Sequence, residues 1–182
     1  QANRSIAALS SNPEVVDVER CYTLPFDYSS GNNIYLPGDD RELFNIADQY
    51  DGTKGFFDFF EIPMLEGRVP ETRQEVAVSR QFVEKMQEFT DWKDGAVGKE
   101  IQISEHSDTS AMNQGLLTIS GVYEDYRIGL LTRNDERPSI RFTAEPDSGY
   151  MPIILVKVKE LNPETIARVQ QEVQQEIEGK DV

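Results

Sequence analysis

Any chemistry in this sequence has to start from very few side chains. The one histidine, His106, lies in Ser104-Glu-His-Ser-Asp108, so a histidine-dependent triad or a histidine-rich metal site would have to be built around it. Its neighbours are of solvated loop types, and beside Glu105 and Asp108 it reads as a surface residue. The one cysteine, Cys21, excludes an intrachain disulfide and any multi-cysteine metal site, and is compatible with either the cytoplasm or a periplasm. Its context, Val16-Asp-Val-Glu-Arg-Cys21-Tyr22, alternates like a strand, which makes the thiol a small buried hydrophobe and not a nucleophile.

Carboxylates are abundant but poorly patterned. Asp39-Asp40-Arg41-Glu42 and Tyr123-Glu124-Asp125-Tyr126 put acids side by side, as a general acid/base pair or a calcium site would. Neither has the alternating oxygen ligands and the glycine of an EF-hand loop. Gly95-Ala-Val-Gly98-Lys99-Glu100 lacks the hydroxyl and the spacing of a phosphate-cradling loop, so ATP binding is not expected. Tyr28, Tyr35 and Tyr50 are the aromatic residues expected in loops, where they could contact a ligand; the remaining aromatics read as core. No catalytic, metal-ligating or cofactor-binding residue is assigned, and no cofactor is expected.

The chain that would position these groups has 182 residues with 38% hydrophobic and 28% charged, a composition that folds. Its 33 acidic and 18 basic residues give a formal charge of -15, a field that repels phosphate backbones and argues against nucleic-acid binding. No apolar run approaches the roughly 18 to 20 residues that span a bilayer. The chain opens on Gln1 within a helical pattern and stops at Asp181-Val182 just past one, which reads as a segment cut from a longer protein.

Helical spacing of Ala2, Ile6 and Leu9 ends at Asn12-Pro13, and a strand follows to Tyr22 with Val16, Val18 and Tyr22 on one face. Leu24 to Thr53 is turn-rich, with Ile34-Tyr-Leu36 and Leu43-Phe-Asn-Ile46 as short extended pieces. Phe56 to Ile62 suits a helix with Phe56, Phe59 and Phe60 on one side, closed by Pro63. Glu75 to Val78 is a strand, and Ser79 caps a helix carrying Phe82, Val83, Met86 and Phe89. Lys99 to Ser104 and Leu116 to Tyr123 are strands around a polar hairpin loop, Glu105 to Gln114. Ser139 to Thr143 and Pro152 to Lys159 are two more. In the last helix Asn162 is the N-cap, Pro163 the first position, and Ile166, Val169, Val173 and Ile177 the apolar stripe before Gly179.

Taken in order, Phe56-Phe-Asp-Phe-Phe-Glu-Ile-Pro-Met-Leu-Glu-Gly67-Arg68, Glu75-Val-Ala-Val-Ser79, Ala96-Val-Gly98-Lys99-Glu-Ile and Thr118-Ile-Ser-Gly121-Val-Tyr-Glu-Asp125-Tyr resemble the periplasmic core domain of macrolide-exporter-type (MacB/FtsX-like) ABC transporter permeases. The resemblance covers Phe56 to Tyr126, with looser flanks in which Asn12-Pro-Glu-Val-Val16 is similar to the segment after the family's first membrane helix. Gly67 and Gly98 suit turns with positive φ, Arg68 suits a tie to a carboxylate or carbonyl, and Gly121 suits close strand packing.

The resemblance implies an α+β fold: a mixed-sheet, two-lobed periplasmic core domain, with a discontinuous membrane-proximal lobe (1–57 plus 121–182) and a smaller inserted distal lobe (58–120). It also implies a non-catalytic ectodomain on the periplasmic side of the bacterial inner membrane. Its permease would dimerise, pair with a cytoplasmic ATPase subunit and couple ATP hydrolysis to export or mechanotransmission, with a periplasmic adaptor or substrate protein as a further partner. The alternative is a periplasmic module that captures a ligand or lipoprotein through the tyrosine-bearing loops; a third option is an enzyme working through Glu124 and Asp125.

Overall fold

In the computed structural model the described residues are 2–27, 29–103, 116–130, 132, 136–143 and 151–178. Their order is α1 (Ala2–Ser11), β1 (Val15–Cys21), β2 (Ser30–Tyr35), β3 (Phe44–Gly52), α2 (Phe56–Phe59), β4 (Met64–Gly67) and β5 (Glu75–Ser79). There follow α3 (Arg80–Met86), β6 (Glu100–Ile103), β7 (Leu116–Tyr123), β8 (Ser139–Thr143), β9 (Ile153–Val158) and α4 (Pro163–Glu178). The α+β class is as expected. His106, Tyr28 and Gly179 lie outside the described residues, as does the hairpin segment 105–114.

The sheet runs β2-β6-β7-β5-β8-β3-β1-β9, and β2 also pairs with β3, so its first six strands close into a ring. Alternation along each strand sends one set of side chains inward. Val76, Val78, Ile101, Ile103, Leu117, Ile119, Ile140 and Phe142 form one buried core with Ile34 and Ile46, plugged by Phe82 and Met86 of α3 and by Trp92. The opposite set faces out: Ala77 and Tyr123 join Cys21, Phe56, Phe57 and Ile62 in a second core. That second core is a seam between the ring wall, α2 and the antiparallel β1–β9 ribbon, since Ile153 and Leu155 pack against it as well.

Most helix boundaries follow from local chemistry. Asn12 closes the turn after α1, its backbone oxygen taking Val15 N at 3.0 Å and its Oδ1 taking Glu14 N at 2.9 Å. Asn162 Oδ1 accepts Thr165 N at 2.9 Å, the expected cap of α4. Ser79 Oγ caps α3 through Phe82 N at 3.2 Å.

Three expectations are corrected. Val16 and Tyr22 do not share a face with the half-buried Val18: a bulge between Val15 and Asp17 turns Val16 outward, and Tyr22 lies exposed beyond the last residue of β1. The aromatic helix is a single turn, Phe56–Phe59: Phe56 is buried as expected and Phe60 packs half-buried against the same core, but the second fully buried ring is Phe57 and not Phe59. The helix ends at once because Glu61 takes a positive φ of 57°. Ile166 of α4 is exposed, while Val169 and Val173 line an open groove of about 450 Å³ opposite Ile154 and Val156.

Strand β4, which has no periodic signature in the sequence, depends on two glycines. Gly67 and Gly121 are direct partners in the β4–β7 pairing. Gly67 has φ of 65°, and a Cβ on Gly121 would stand 2.3 Å from Arg68 O, so neither position accepts a side chain without moving the strand. Arg68 then ties the turn down, donating to Glu75 Oε1 at 2.6 Å and Oε2 at 3.0 Å. Backbone N–H groups of Glu71 and Thr72 also reach that carboxylate, and these donors, Arg68 first, hold the Glu75 carboxyl at about 2.

Candidate functional site: a polar cleft above the seam

Where β7 ends and β8 begins, Gln81, Asp125, Tyr126, Arg127, Ile128, Glu136, Arg137 and Ser139 line an open cleft of about 390 Å³. Its lining is mostly polar, and it includes Asp125 of one of the two acidic pairs singled out in the sequence.

Those carboxylates are already engaged. Asp125 Oδ1 accepts Gln81 N at 3.0 Å, and its Oδ2 accepts Arg80 Nε at 3.3 Å. Arg80 Nη2 lies 3.0 Å from Glu124 Oε1. Glu124 and Asp125 therefore bind the first turn of α3, where exposed backbone donors favour an anion. Replacing Asp125 with alanine is expected to cost about 1 kcal/mol in urea unfolding, the usual loss for a capping carboxylate.

Arg137, on the cleft's rim, is equally committed: its guanidinium donates to Ile46 O at 3.0 Å and Ser30 O at 3.2 Å, clamping the start of β8 to the β2–β3 hairpin. The second acidic group is elsewhere, in the connection between β2 and β3. There Asp39 Oδ1 accepts Arg41 N at 2.8 Å and Glu42 accepts Asn33 Nδ2 at 2.9 Å. Among the described residues no three His, Cys, Asp or Glu side chains are placed to hold a metal ion. Tyr35 is half-buried in β2, and the side chain of Tyr50 is outside the described set.

Beneath the cleft is a hydroxyl chain absent from the sequence reading. Ser79 Oγ accepts Ser139 N at 3.0 Å, and Ser139 Oγ lies 2.8 Å from Tyr123 Oη. The Tyr123 and Tyr126 rings are 5.6 Å apart, and Arg141 hydrogen-bonds Tyr126. Burial pushes both phenols upward, most strongly Tyr123, so they stay neutral at physiological pH. Arg141 itself is fully buried, with its guanidinium carbon 3.2 Å from the centre of the Phe56 ring. The only clue in the sequence is a cation at the centre of the apolar strand Ser139-Ile-Arg-Phe-Thr143. Cys21 is free and buried in the same seam, its thiol pushed upward by burial, in keeping with a packing role.

No protein-family model matches the chain, and no curated protein matches it. Solved structures do. The periplasmic region of MacB from Actinobacillus actinomycetemcomitans matches with a TM-score of 0.57 at 14% identity, over 98% of this chain and 74% of that one. The fold is that of an ABC-permease periplasmic domain. A permease-protein domain from Porphyromonas gingivalis matches with a TM-score of 0.60 at 19% identity, over 93% and 74% of the two chains. The extracellular domain of the noncanonic ABC-type transporter YknZ from Gram-positive bacteria gives 0.56 at 12%, over 97% and 83%. This permease-domain fold thus accounts for nearly the whole chain, including the flanks where the sequence resemblance was loose. None of the described helices is long and apolar enough to cross a membrane.

Proposed function

We propose that the chain is a non-catalytic extracytoplasmic domain of an ABC transporter permease, held at the periplasmic side of the bacterial inner membrane. It would couple ATP hydrolysis by a cytoplasmic subunit to export or mechanotransmission. What carries the reading is the MacB periplasmic fold over 98% of the chain. Supporting it, the polar cleft spends Asp125, Glu124, Arg80 and Arg137 on holding its own walls. A second permease copy, the ATPase and a periplasmic adaptor or substrate protein are the partners this reading requires.

The same reading divides the chain into a membrane-proximal lobe, 1–57 plus 121–182, and an inserted distal lobe, 58–120. Hydrogen bonding between β2 and β6 and between β5 and β8 crosses that division, so both lobes contribute to one sheet.

The encoding gene tests the proposal: one hydrophobic helix directly before Gln1, three beyond Val182 and an adjacent ATPase gene are expected. A gene without those helices overturns it.

One observation favours the capture module as a second reading. Gly129 N donates to Pro25 O at 3.0 Å, joining two loops that leave Tyr22, Phe26 and Leu130 exposed. On that reading a periplasmic ligand or lipoprotein raises the melting temperature, as binding linkage requires.

A further inference from the structure

Glu19 lies on β1 and reaches across to the turn that starts α2. Its carboxyl is hydrogen-bonded to the hydroxyl of Thr53 and rests on the backbone of Gly55, where an added methyl group would overlap Glu19 Oε1. Thr53 is itself buried, and its hydroxyl is also 3.3 Å from Arg20 O. A threonine hydroxyl has a single proton to donate. When Glu19 is protonated, it donates to Thr53 Oγ1, and Thr53 is free to donate to Arg20 O. When Glu19 is ionised, Thr53 turns its proton to the carboxylate, and Arg20 O keeps only the backbone N–H of Thr53, at 3.0 Å.

We propose that Glu19 and Thr53 form a proton-controlled latch between β1 and the turn that launches α2. Thr53 O accepts Phe56 N at 3.0 Å, so α2 is built directly on this residue, and α2 places Phe56 and Phe57 in the seam. The protonated latch holds the seam closed, and ionisation loosens it.

The charged groups around Glu19 favour a proton there. Burial raises the carboxyl's proton affinity most, with Asp17 on the same strand next and Asp58 on α2 least; together they outweigh the backbone N–H of Arg20, which favours the ionised form, and push the group up to about 7. The nearby cations are spoken for. Arg20 donates to Met151 O at 2.8 Å, and Lys157 on β9 donates to Phe59 O at 3.1 Å and pairs with Glu61 at 2.9 Å. Lys54, in the turn itself, is exposed and has an interaction of its own.

Because the folded-state value lies above the unfolded one, the stabilisation is complete below about pH 4.5 and is lost as pH rises through about 7.

The test compares the 182-residue chain with Glu19→Gln, which keeps a donor facing Thr53 at every pH, using melting temperature from pH 5.5 to 8.5. The native chain should lose about 2–5 °C relative to Glu19→Gln over that range. Hydrogen exchange, corrected for intrinsic rates, should show the amides of Phe56 to Phe60 losing protection several-fold at pH 8.5 in the native chain only. A difference in melting temperature that stays flat with pH overturns the latch. So does a loss of protection spread evenly over all amides, which would mark a merely global effect. Thr53→Val, which removes the switching hydroxyl, should abolish the local change in exchange; its persistence in that variant would also overturn the latch.

Discussion

Arg141→Ala should lower stability by about 3 kcal/mol or more, a fall of roughly 6–12 °C in melting temperature for a chain of this size. The residue is on a central strand, between β5 and β3, and its side chain leaves the ring wall to enter the seam. There it stacks on Phe56 and hydrogen-bonds Tyr126. Alanine removes the guanidinium and its aliphatic stem together, leaving a cavity lined by Phe56 and the two tyrosines and a phenol short of a donor. Arg141→Met separates the two losses: it fills the space without the charge, and replacing a buried ion with an apolar side chain of similar length is often close to neutral. Arg141→Lys should recover little, because an ammonium cannot stack flat on a ring. Urea unfolding of the three variants measures the series, and Arg141→Ala within 1 kcal/mol of the native chain would show that the seam does not depend on this residue.

The second large effect is expected at Phe57. Its ring is fully buried, 5.2 Å from that of Tyr123, and sits where α2 fastens the ring wall to the β1–β9 ribbon. Phe57→Ala should cost about 3–5 kcal/mol, with Phe57→Leu under about 1.5 because most of the volume is kept. Phe59→Ala, on the half-exposed side of the same turn, should cost much less. Equal losses at positions 57 and 59, measured by thermal unfolding, would restore the sequence expectation that Phe59 belongs to the buried face.

That contrast shows how the sequence could mislead. Spacing in Phe56-Phe-Asp-Phe-Phe-Glu-Ile62 puts Phe56, Phe59 and Phe60 on one side of a helix; in the structure Phe60 does pack on Phe56 and against the seam, but the buried partner of Phe56 is Phe57. Glu61 leaves the helical region because the chain must turn to pair β4 against β7, a constraint imposed by residues some sixty positions away. The bulge in β1 is similar: Val16-Asp-Val alternates correctly, yet the register against β9 shifts by one residue and turns Val16 outward. In both cases pairing with a distant strand overrode a sound local pattern.

The site was less legible than the fold. Glu124 and Asp125 were visible as an acidic pair, but their role as partners of α3 requires Arg80 and Gln81, which the sequence places 44 or 45 residues away. Arg141 carried a faint signal as a cation within an apolar strand. Nothing local marks Thr53 or Glu19, because their contact joins strand β1 to the turn before α2, 34 residues away in the chain.

By itself the sequence determined what short-range physics can decide: the caps at Ser79 and Asn162, the alternating strands, the glycines at tight turns, the α+β class and the scarcity of catalytic side chains. Only the tertiary structure decided the closed ring of six strands, the seam between ring and ribbon, and the burial of Arg141 within it. Capping and alternation are properties of neighbours a few residues apart. Which face of a strand meets another element is fixed by pairings across the whole chain, and those pairings leave no periodic mark.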